Sequence, residues 1–96
     1  MDGVGYKTRT DDGVIGTSGT PIDVFGYEIT SGGAPATVDF HDGTTASGTK
    51  VISAVGTTGK TTTVNFGGVG VRFASGCYVN VDANTNRVSV RYRQVN

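Results

Sequence analysis

The chain has little of what builds helices. Its 96 residues contain no Leu or Trp, one Glu and one Gln, whereas Gly, Thr and Val number 16, 15 and 14. Leu, Glu and Gln favour helices, while Val and Thr lose side-chain freedom in a helix and pack well on a pleated sheet. This composition excludes a helical domain and predicts a chain built from strands.

Cysteine, histidine and long apolar runs are also scarce. Cys77 is the only cysteine, so no disulfide forms within the chain, and with His41 as the only histidine the usual ligands of a zinc site are lacking. No stretch approaches the roughly 20 apolar residues of a membrane span, and the first residues lack the apolar run of a signal peptide. We therefore expect a protein made in a reducing cytoplasm, with no membrane partner and no cofactor.

Alternation of apolar and polar residues, broken by Gly, Ser, Asn and Asp, runs through residues 21–96. Strands spaced by about 8–12 residues with turn residues between them are typical of sandwiches and barrels. The pattern predicts an all-β, single-domain antiparallel β-sandwich, jelly-roll-like, with seven or eight strands. Within PIDVFGYEITS the alternation slips between Val24 and Phe25, which predicts a β-bulge beside Gly26.

Turn chemistry predicts three hairpins in this region. The first joins residues 36–40 to residues 50–55 through HDGTTASG, where Asp-Gly is a strong turn signal. The second turns at GTTG between Val55 and Lys60. The third joins the strands around Val79 and Val90 through DANTN.

Residues 1–20 differ from the rest of the chain. They hold five Gly and few large apolar side chains. Segments that cannot bury enough apolar surface order only against a partner. We therefore predict an N-terminal arm over 1–20 and a β-sandwich domain over 21–96.

Charge is balanced overall but unevenly distributed. Residues 1–48 carry seven acidic and two basic residues, whereas residues 49–96 carry one acidic and six basic residues. Zero net charge argues against a general nucleic-acid binder. Either the halves interleave as neighbouring strands and neutralise each other, or they dock onto another copy or an acidic partner.

The segment AVGTTGKT matches a relaxed phosphate-loop pattern. That loop works because it runs into a helix whose N-terminus favours phosphate. Here Lys60 is followed by three threonines and then alternation, which favours a strand. The match is interpreted as a turn without nucleotide chemistry.

Three other features have a functional and a structural interpretation. DANTN has oxygen ligands at calcium-loop spacing, yet Arg87 stands where that loop needs Gly, so a turn is favoured. His41 is predicted to be a solvated strand-end residue, because no catalytic partner for it is identifiable. Cys77 alternates with Val79 and is predicted to be a core residue. No catalytic constellation emerges, so no enzyme is expected.

Docking residues are predicted at both ends of the chain. Arg87, Arg91 and Arg93 share one face of the last strand, and Arg suits bidentate interface pairs. The alternative is a solvated face. The complete candidate set, including the predicted arm, is Tyr6, Lys7, Arg9, Arg87, Arg91 and Arg93.

The runs PIDVFGYEITSGGAPATVDFHDGTTASGTKV and NFGGVGVRFASGCYVNVDANTNRVSVRY carry a resemblance. Over residues 21–92 the chain resembles small β-rich virion proteins of tailed phages, which share the Phe-Gly break, the Ser-Gly-Gly turn and the Asp-Gly-Thr hairpin. The best-understood role in that group is capsid decoration by a β-sandwich, often trimeric, that clamps neighbouring capsomers.

The resemblance implies a cement protein on the outer surface of a phage head, with the major capsid protein and further copies of itself as partners, the latter in a homotrimer. It implies no catalytic residues. The alternative is a receptor- or glycan-binding module of a tail or capsid fibre. That role needs a groove with aromatic side chains, for which Tyr6, Tyr27 and Tyr78 are the candidates.

Overall fold

Nine strands make up the chain in a computed structural model that describes residues 5–95, and no helix occurs within that range. The strands are β1 (Gly5–Arg9), β2 (Gly13–Ile15), β3 (Ile22–Ser31), β4 (Thr37–Asp42), β5 (Thr49–Val55), β6 (Thr61–Asn65), β7 (Val71–Phe73), β8 (Cys77–Val81) and β9 (Thr85–Gln94). The prediction of an all-β chain is confirmed.

The strands form two antiparallel sheets. Sheet I has the order β1-β9-β3-β6, with β7 also on β3, and sheet II has the order β2-β8-β4-β5. Strand β6 pairs with one end of β3 and β7 with the other, so the two form one interrupted strand. The pairs β4–β5, β3–β6/β7, β2–β8 and β1–β9 are nested, which is the wrapping of a jelly roll. The predicted sandwich is confirmed.

The core lies between the two sheets and is built by inward-facing apolar residues. Phe40 and Phe73 are its largest fully buried side chains, and the ring of Tyr27 packs 5.3 Å from that of Phe40. The predicted inward positions Val79 and Val90 are fully buried. Alternating burial on both sheets follows from the period of two along a strand.

Two of the three predicted hairpins are wrong. Strands β8 and β9 lie in different sheets, and so do β5 and β6, so DANTN and GTTG carry the chain from one sheet to the other. Of the three predicted hairpins, the one formed by β4 and β5 is present. Alternation is the same whether the next strand pairs alongside or packs opposite, because both inner faces of a sandwich repeat every second residue.

The N-terminal segment is part of the sandwich rather than a separate arm. Strand β1 pairs with β9 over its whole length, β2 pairs with β8, and Ile15 is fully buried. These two strands bring the total to nine, against the seven or eight predicted. Alternation is weak here because Lys7 and Arg9 occupy the inward-facing positions of β1. Residues 1–4 of the predicted arm lie outside the described residues.

The predicted bulge in β3 is confirmed. The register with β9 shifts between Val24 and Gly26, which leaves Phe25 as the extra residue. Phe25 falls outside the main core cluster but is only 4% exposed, and Gly70 packs against its ring. Phe25 and Gly26 therefore both lie on the outer side of sheet I, and the bulge returns Tyr27 to the core side.

Candidate docking surface

The outward-facing side chains of sheet I form one polar surface, called here the outer face of sheet I. Tyr6 lies opposite Arg91, and Thr8 opposite Ser89, where the two hydroxyl oxygens are 2.9 Å apart. Its members are Tyr6, Thr8, Asp23, Glu28, Thr30, Thr61, Thr63, Asn65, Arg72, Arg87, Ser89, Arg91 and Arg93.

The six predicted docking residues divide between two places. Tyr6, Arg87, Arg91 and Arg93 share the outer face of sheet I. Lys7 lies opposite Val90 and Arg9 opposite Val88, so both project from the other side of β1, where the sandwich is open.

Arg9 holds the connection between β1 and β2. Its guanidinium donates to the backbone oxygens of Asp11, Asp12 and Val14 at 3.2, 3.0 and 3.3 Å. It also forms an ion pair with the Asp11 carboxylate at 3.0 Å. Arg9 therefore organises its own loop.

Asp23 anchors one end of the outer face of sheet I. Its side chain is 6% exposed, accepts a hydrogen bond from Arg72 and lies 3.5 Å from Nη2 of Arg93. The hydrogen bond from Arg72 lowers the pKa of Asp23 more than burial raises it, and Arg93 lowers this pKa further. The Arg93 guanidinium also lies 5.3 Å from the centre of the Phe25 ring, in cation–π contact.

The other two arginines are held less tightly. Arg87 lies 3.7 Å from Glu28, with half of its side chain exposed. Arg91 donates to Oδ1 of Asn65 at 2.9 Å and to the backbone oxygen of Phe25 at 3.4 Å. These contacts hold the guanidinium groups in defined positions along the sheet.

Ion pairs across the sheets explain the uneven charge distribution. Asp23, Glu28 and Asp39 from the first half of the chain pair with Arg72, Arg87, Arg93 and Lys50 from the second half. The interleaving of the two halves as neighbouring strands is confirmed for these pairs. On the outer face of sheet I, however, the described residues include four Arg side chains and two carboxylates, those of Asp23 and Glu28, so this surface is positive.

A shallow groove of about 90 Å³ crosses this surface between β1 and β6. Gly26 lies in it, flanked by Glu28, Asn65 and Arg91, and Tyr6 lines one side with 71% of its surface exposed. Of the other two tyrosines considered for glycan binding, Tyr27 also lines this groove. The Tyr27 ring, however, packs against the core, and Tyr78 lies on sheet II beside His41, with ring centres 6.4 Å apart. Tyr6 is therefore the tyrosine whose ring the groove exposes.

The segment that resembles a phosphate loop connects the two sheets. Strand β6 begins at Thr61, directly after Lys60, so the predicted strand is confirmed. Gly59 adopts a φ of 67° at the turn and donates its N–H to the oxygen of Gly32 at 2.9 Å. The segment thus lacks the helix that gives the motif its chemistry.

The Asp82 carboxylate in DANTN accepts hydrogen bonds from two loops. Its Oδ1 accepts from the N–H of Asn84 at 3.0 Å and from the hydroxyl of Thr85 at 2.9 Å, and its Oδ2 accepts from the N–H of Thr37 at 2.8 Å. Burial raises the pKa of Asp82, but these hydrogen bonds together outweigh it and lower the pKa. The predicted turn is confirmed, although it joins two sheets.

His41 is buried, and its prediction as a solvated residue is wrong. It is 6% exposed, with Nδ1 3.0 Å from the oxygen of Gly48. The register of β4 with β5 shifts between Phe40 and His41, where Val51 of β5 is the extra residue, so His41 pairs with Lys50. No group of three or more potential metal-binding side chains occurs within residues 5–95.

Cys77 is a core residue as predicted, with 1% of its surface exposed. Burial, and to a smaller degree the charge of Asp42, raises the pKa of the thiol to about 12. The thiolate needed for nucleophilic reaction is therefore scarce near neutral pH.

Sequence reasoning missed the edge of sheet II. Strand β5 ends that sheet, and two of its valines, Val51 and Val55, are 41% and 64% exposed. The only sequence signal was a strand of six residues, KVISAV, with one charge and no proline.

Comparisons of this chain with protein-family models, curated proteins and solved structures yield no match. The structure itself defines the class as a single-domain jelly-roll β-sandwich with a positive outer face on one sheet. Among residues 5–95 no helix is long and apolar enough to cross a membrane.

Proposed function

We propose that this protein is a structural virion protein that decorates the head of a tailed phage and stabilises neighbouring capsomers. It is made in the cytoplasm of the host bacterium and acts on the capsid surface. Its partners are the major capsid protein and further copies of itself. The sequence resemblance over residues 21–92 is the first support for this proposal.

The shared motifs occupy positions that matter for the fold. The Phe25-Gly26 break forms the bulge of β3, and the Asp42-Gly43 pair begins the β4–β5 connection. The Gly-Cys-Tyr-Val stretch begins with Gly76, whose φ of 111° suits glycine, and leads into β8. The resemblance therefore rests on residues with a structural reason to recur.

The observation that carries the docking proposal is the positive charge of the outer face of sheet I. Its arginines are pre-positioned by Asp23, Glu28 and Asn65, so little side-chain entropy is lost when they meet a partner. This face has two more guanidinium groups than carboxylates, and the excess positive charge favours docking to an acidic protein surface. Lys7 and Arg9 lie on the other side of β1 and are left out of this surface.

The docking proposal is tested by charge reversal. Arg87→Glu removes a half-exposed guanidinium whose contacts are Glu28 at 3.7 Å and the Thr30 hydroxyl at 3.4 Å. Lys60→Glu makes the same charge change in the connection between β5 and β6. In co-sedimentation with salt-stripped phage heads, Arg87→Glu is expected to weaken binding about tenfold or more, which corresponds to about 1.4 kcal/mol.

The Lys60→Glu control is expected to bind heads within about twofold of the unchanged protein, since a rim charge outside the contact contributes little. Equal binding by both variants would contradict docking through this face. Failure of the unchanged protein to bind heads of any stripped phage preparation would contradict the decoration role itself.

The groove beside Tyr6 favours a second candidate, a glycan-binding module of a fibre. An exposed tyrosine ring next to Glu28, Asn65 and Arg91 offers both a stacking surface and polar partners for sugar hydroxyls. A glycan array decides this candidate. Hits that vanish in Tyr6→Ala and persist in Arg87→Glu would favour it over docking to a capsid.

A further inference from the structure

The edge of sheet II is open for strand pairing. Strand β5 spans seven residues, Thr49–Val55, and pairs only with β4 within the described part of the chain. The other side of β5 therefore presents backbone N–H and C=O groups that no strand of residues 5–95 satisfies. Such a row of groups is a template for another strand.

This edge carries a β-bulge at Val51, where the register with β4 shifts, but no proline and only one charged residue. Lys50 is its only charged residue, and its ammonium lies 3.4 Å from the Asp39 carboxylate of the same sheet. Val51 and Val55 are 41% and 64% exposed, so two of the four exposed large hydrophobic residues in the described structure belong to β5. Proteins that remain monomeric protect such edges with several charges, proline, very short strands or bulges, and in β5 the regular stretch 52–55 beyond the bulge has no charge and no proline.

The residues of β5 are self-complementary in an antiparallel arrangement. A two-fold axis at Ser53 places Val51 of one copy opposite Val55 of the partner subunit, and Ile52 opposite Ala54 of the partner subunit. Ile52 and Ala54 face the core side of the sheet, Ser53 and Val55 face the opposite side, and Val51 is the exposed extra residue of the bulge in β5. In this register Lys50 meets Gly56 of the partner subunit, so like charges do not face each other.

We propose that two copies of this chain associate through β5, paired antiparallel about a two-fold axis at Ser53, to form one continuous sheet. Cross-strand pairs of β-branched residues stabilise such pairing, and burial of the valines removes apolar surface from water. The interface is isologous, as in most soluble homodimers.

The proposed pairing has a consequence for docking. A two-fold axis perpendicular to a sheet keeps the two sides of that sheet distinct, so sheet I of both copies lies on the same side of the joined sheet II. Both positive outer faces then point in one direction and engage two sites at once. This inference deepens the self-association in the proposed function and supplies avidity for neighbouring capsomers.

Oligomeric state tests the pairing directly. By sedimentation velocity or light scattering the unchanged protein is expected to show twice the chain mass of 9.8 kDa at high concentration. Val51→Lys/Val55→Lys places lysine opposite lysine across the axis and is expected to yield monomers. Val69→Lys, which changes an 87% exposed valine in the β6–β7 loop, is the matched control and is expected to remain dimeric.

Charge swapping separates specific pairing from general loss of solubility. The variant Val51→Glu/Val55→Glu is also expected to be monomeric alone. Mixed in equal amounts, the lysine and glutamate variants are expected to form heterodimers, because each lysine then faces a glutamate. Absence of heterodimers would contradict the Ser53-centred register.

A disulfide tests the position of the axis. In the Ser53→Cys variant the two introduced thiols face each other across the axis. Covalent dimers are expected on mild oxidation, since directly opposite Cβ atoms lie about 4.5–5.5 Å apart and a small shift brings them to the roughly 3.5–4.5 Å of a disulfide. Thr57→Cys, four residues further on, separates the two thiols by about 26 Å and is expected to remain uncrosslinked. Cys77 contributes no background because it is 1% exposed.

Several outcomes overturn the proposal: a monomeric mass up to about 1 mM protein, a trimeric mass, or unchanged dimers in Val51→Lys/Val55→Lys. Binding to phage heads distinguishes failure of the pairing through β5 from failure of the proposed function. The lysine variant retains binding to a single site and loses avidity, whereas Arg87→Glu binds heads more weakly at each site but remains dimeric. A protein that binds heads as a monomer contradicts only the pairing through β5.

Discussion

At the scale of single residues, aspartate side chains hold the loops of this sandwich in place by accepting hydrogen bonds from backbone N–H groups far away in the sequence. Asp12 accepts from the N–H of Val81 at 2.7 Å, and Asp42 accepts from that of Ser75 at 2.7 Å. Asp82 fastens its own turn and a neighbouring one in the same way. Hydrogen bonds to a charged acceptor are stronger than those between neutral groups, so these carboxylates stabilise loops that bury little apolar surface.

Asp82→Asn tests one of these hydrogen-bonded carboxylates. We expect a loss of about 1 kcal/mol in the free energy of unfolding at pH 7, modest because the site is only partly buried. The pKa of Asp82 is lowered in the folded state relative to its ordinary 3.8. Its stabilising effect is therefore fully present above the unfolded pKa and is lost as pH falls through the folded one.

Urea unfolding at pH 7 and at pH 3 measures this effect. The difference in stability between the unchanged protein and Asp82→Asn is expected to shrink at the lower pH, because protonation removes the same charge in the unchanged protein. A difference that is equal at both pH values would contradict the role of the carboxylate charge.

Individual residues also differ in how far their positions could be predicted from the sequence. The shared face of Arg87, Arg91 and Arg93 was predictable, because it depends only on alternation within one strand. The burial of His41 was not, since it follows from a bulge and from the distant Gly48. Likewise, Tyr6 joins the arginines only because β1 pairs with β9.

At the scale of elements, the bulge of β3 brings this strand close to β6. A Cβ atom on Gly26 would lie 2.6 Å from the backbone oxygen of Val64, closer than side chains tolerate. Gly26→Ala is therefore expected to lower the free energy of unfolding by about 1–3 kcal/mol, since the two strands must move apart.

Gly33→Ala is the matched control, because nothing lies within 4 Å of a Cβ at Gly33. It is expected to change stability by no more than about 0.5 kcal/mol. Denaturant unfolding of the two variants gives both values. Equal stability of the two would show that β3 and β6 adjust without cost.

The positions of the strands were easier to predict than the pairing of one strand with another. Positions of β3, β4, β8 and β9 follow from local alternation and turn residues. Whether β9 pairs with β8 or with β1 and β3 depends on contacts far apart in the chain, which local periodicity does not encode. The open edge at β5 was missed for the same reason, because an edge is defined only once all pairings are known.

At the scale of the whole molecule, the first strands complete both sheets. Deletion of residues 2–15 would remove β1 and β2, expose the edges of β9 and β8 and take away the fully buried Ile15. We expect this deletion to abolish cooperative unfolding, as measured by circular dichroism against temperature. Its effect on capsid binding would then report folding rather than docking.

Tyr6→Ser tests the same region without removing a strand. Because Tyr6 is 71% exposed, this variant is expected to keep its stability within about 0.5 kcal/mol. A folded, cooperative protein after deletion of residues 2–15 would instead support a separable arm over residues 1–20.

The nested strand pairing also orders the events of folding by the length of chain that each step must close. Strands β4 and β5 meet across a short connection, whereas Gly5 and Tyr92 are separated by most of the sequence. Closing that loop first would carry the largest entropy cost, but once β3–β6 and β2–β8 have formed, little unordered chain remains to be closed. Strands β1 and β2 are synthesised first on the ribosome, but their partners β9 and β8 are synthesised last. These two strands therefore remain unpaired longest during synthesis.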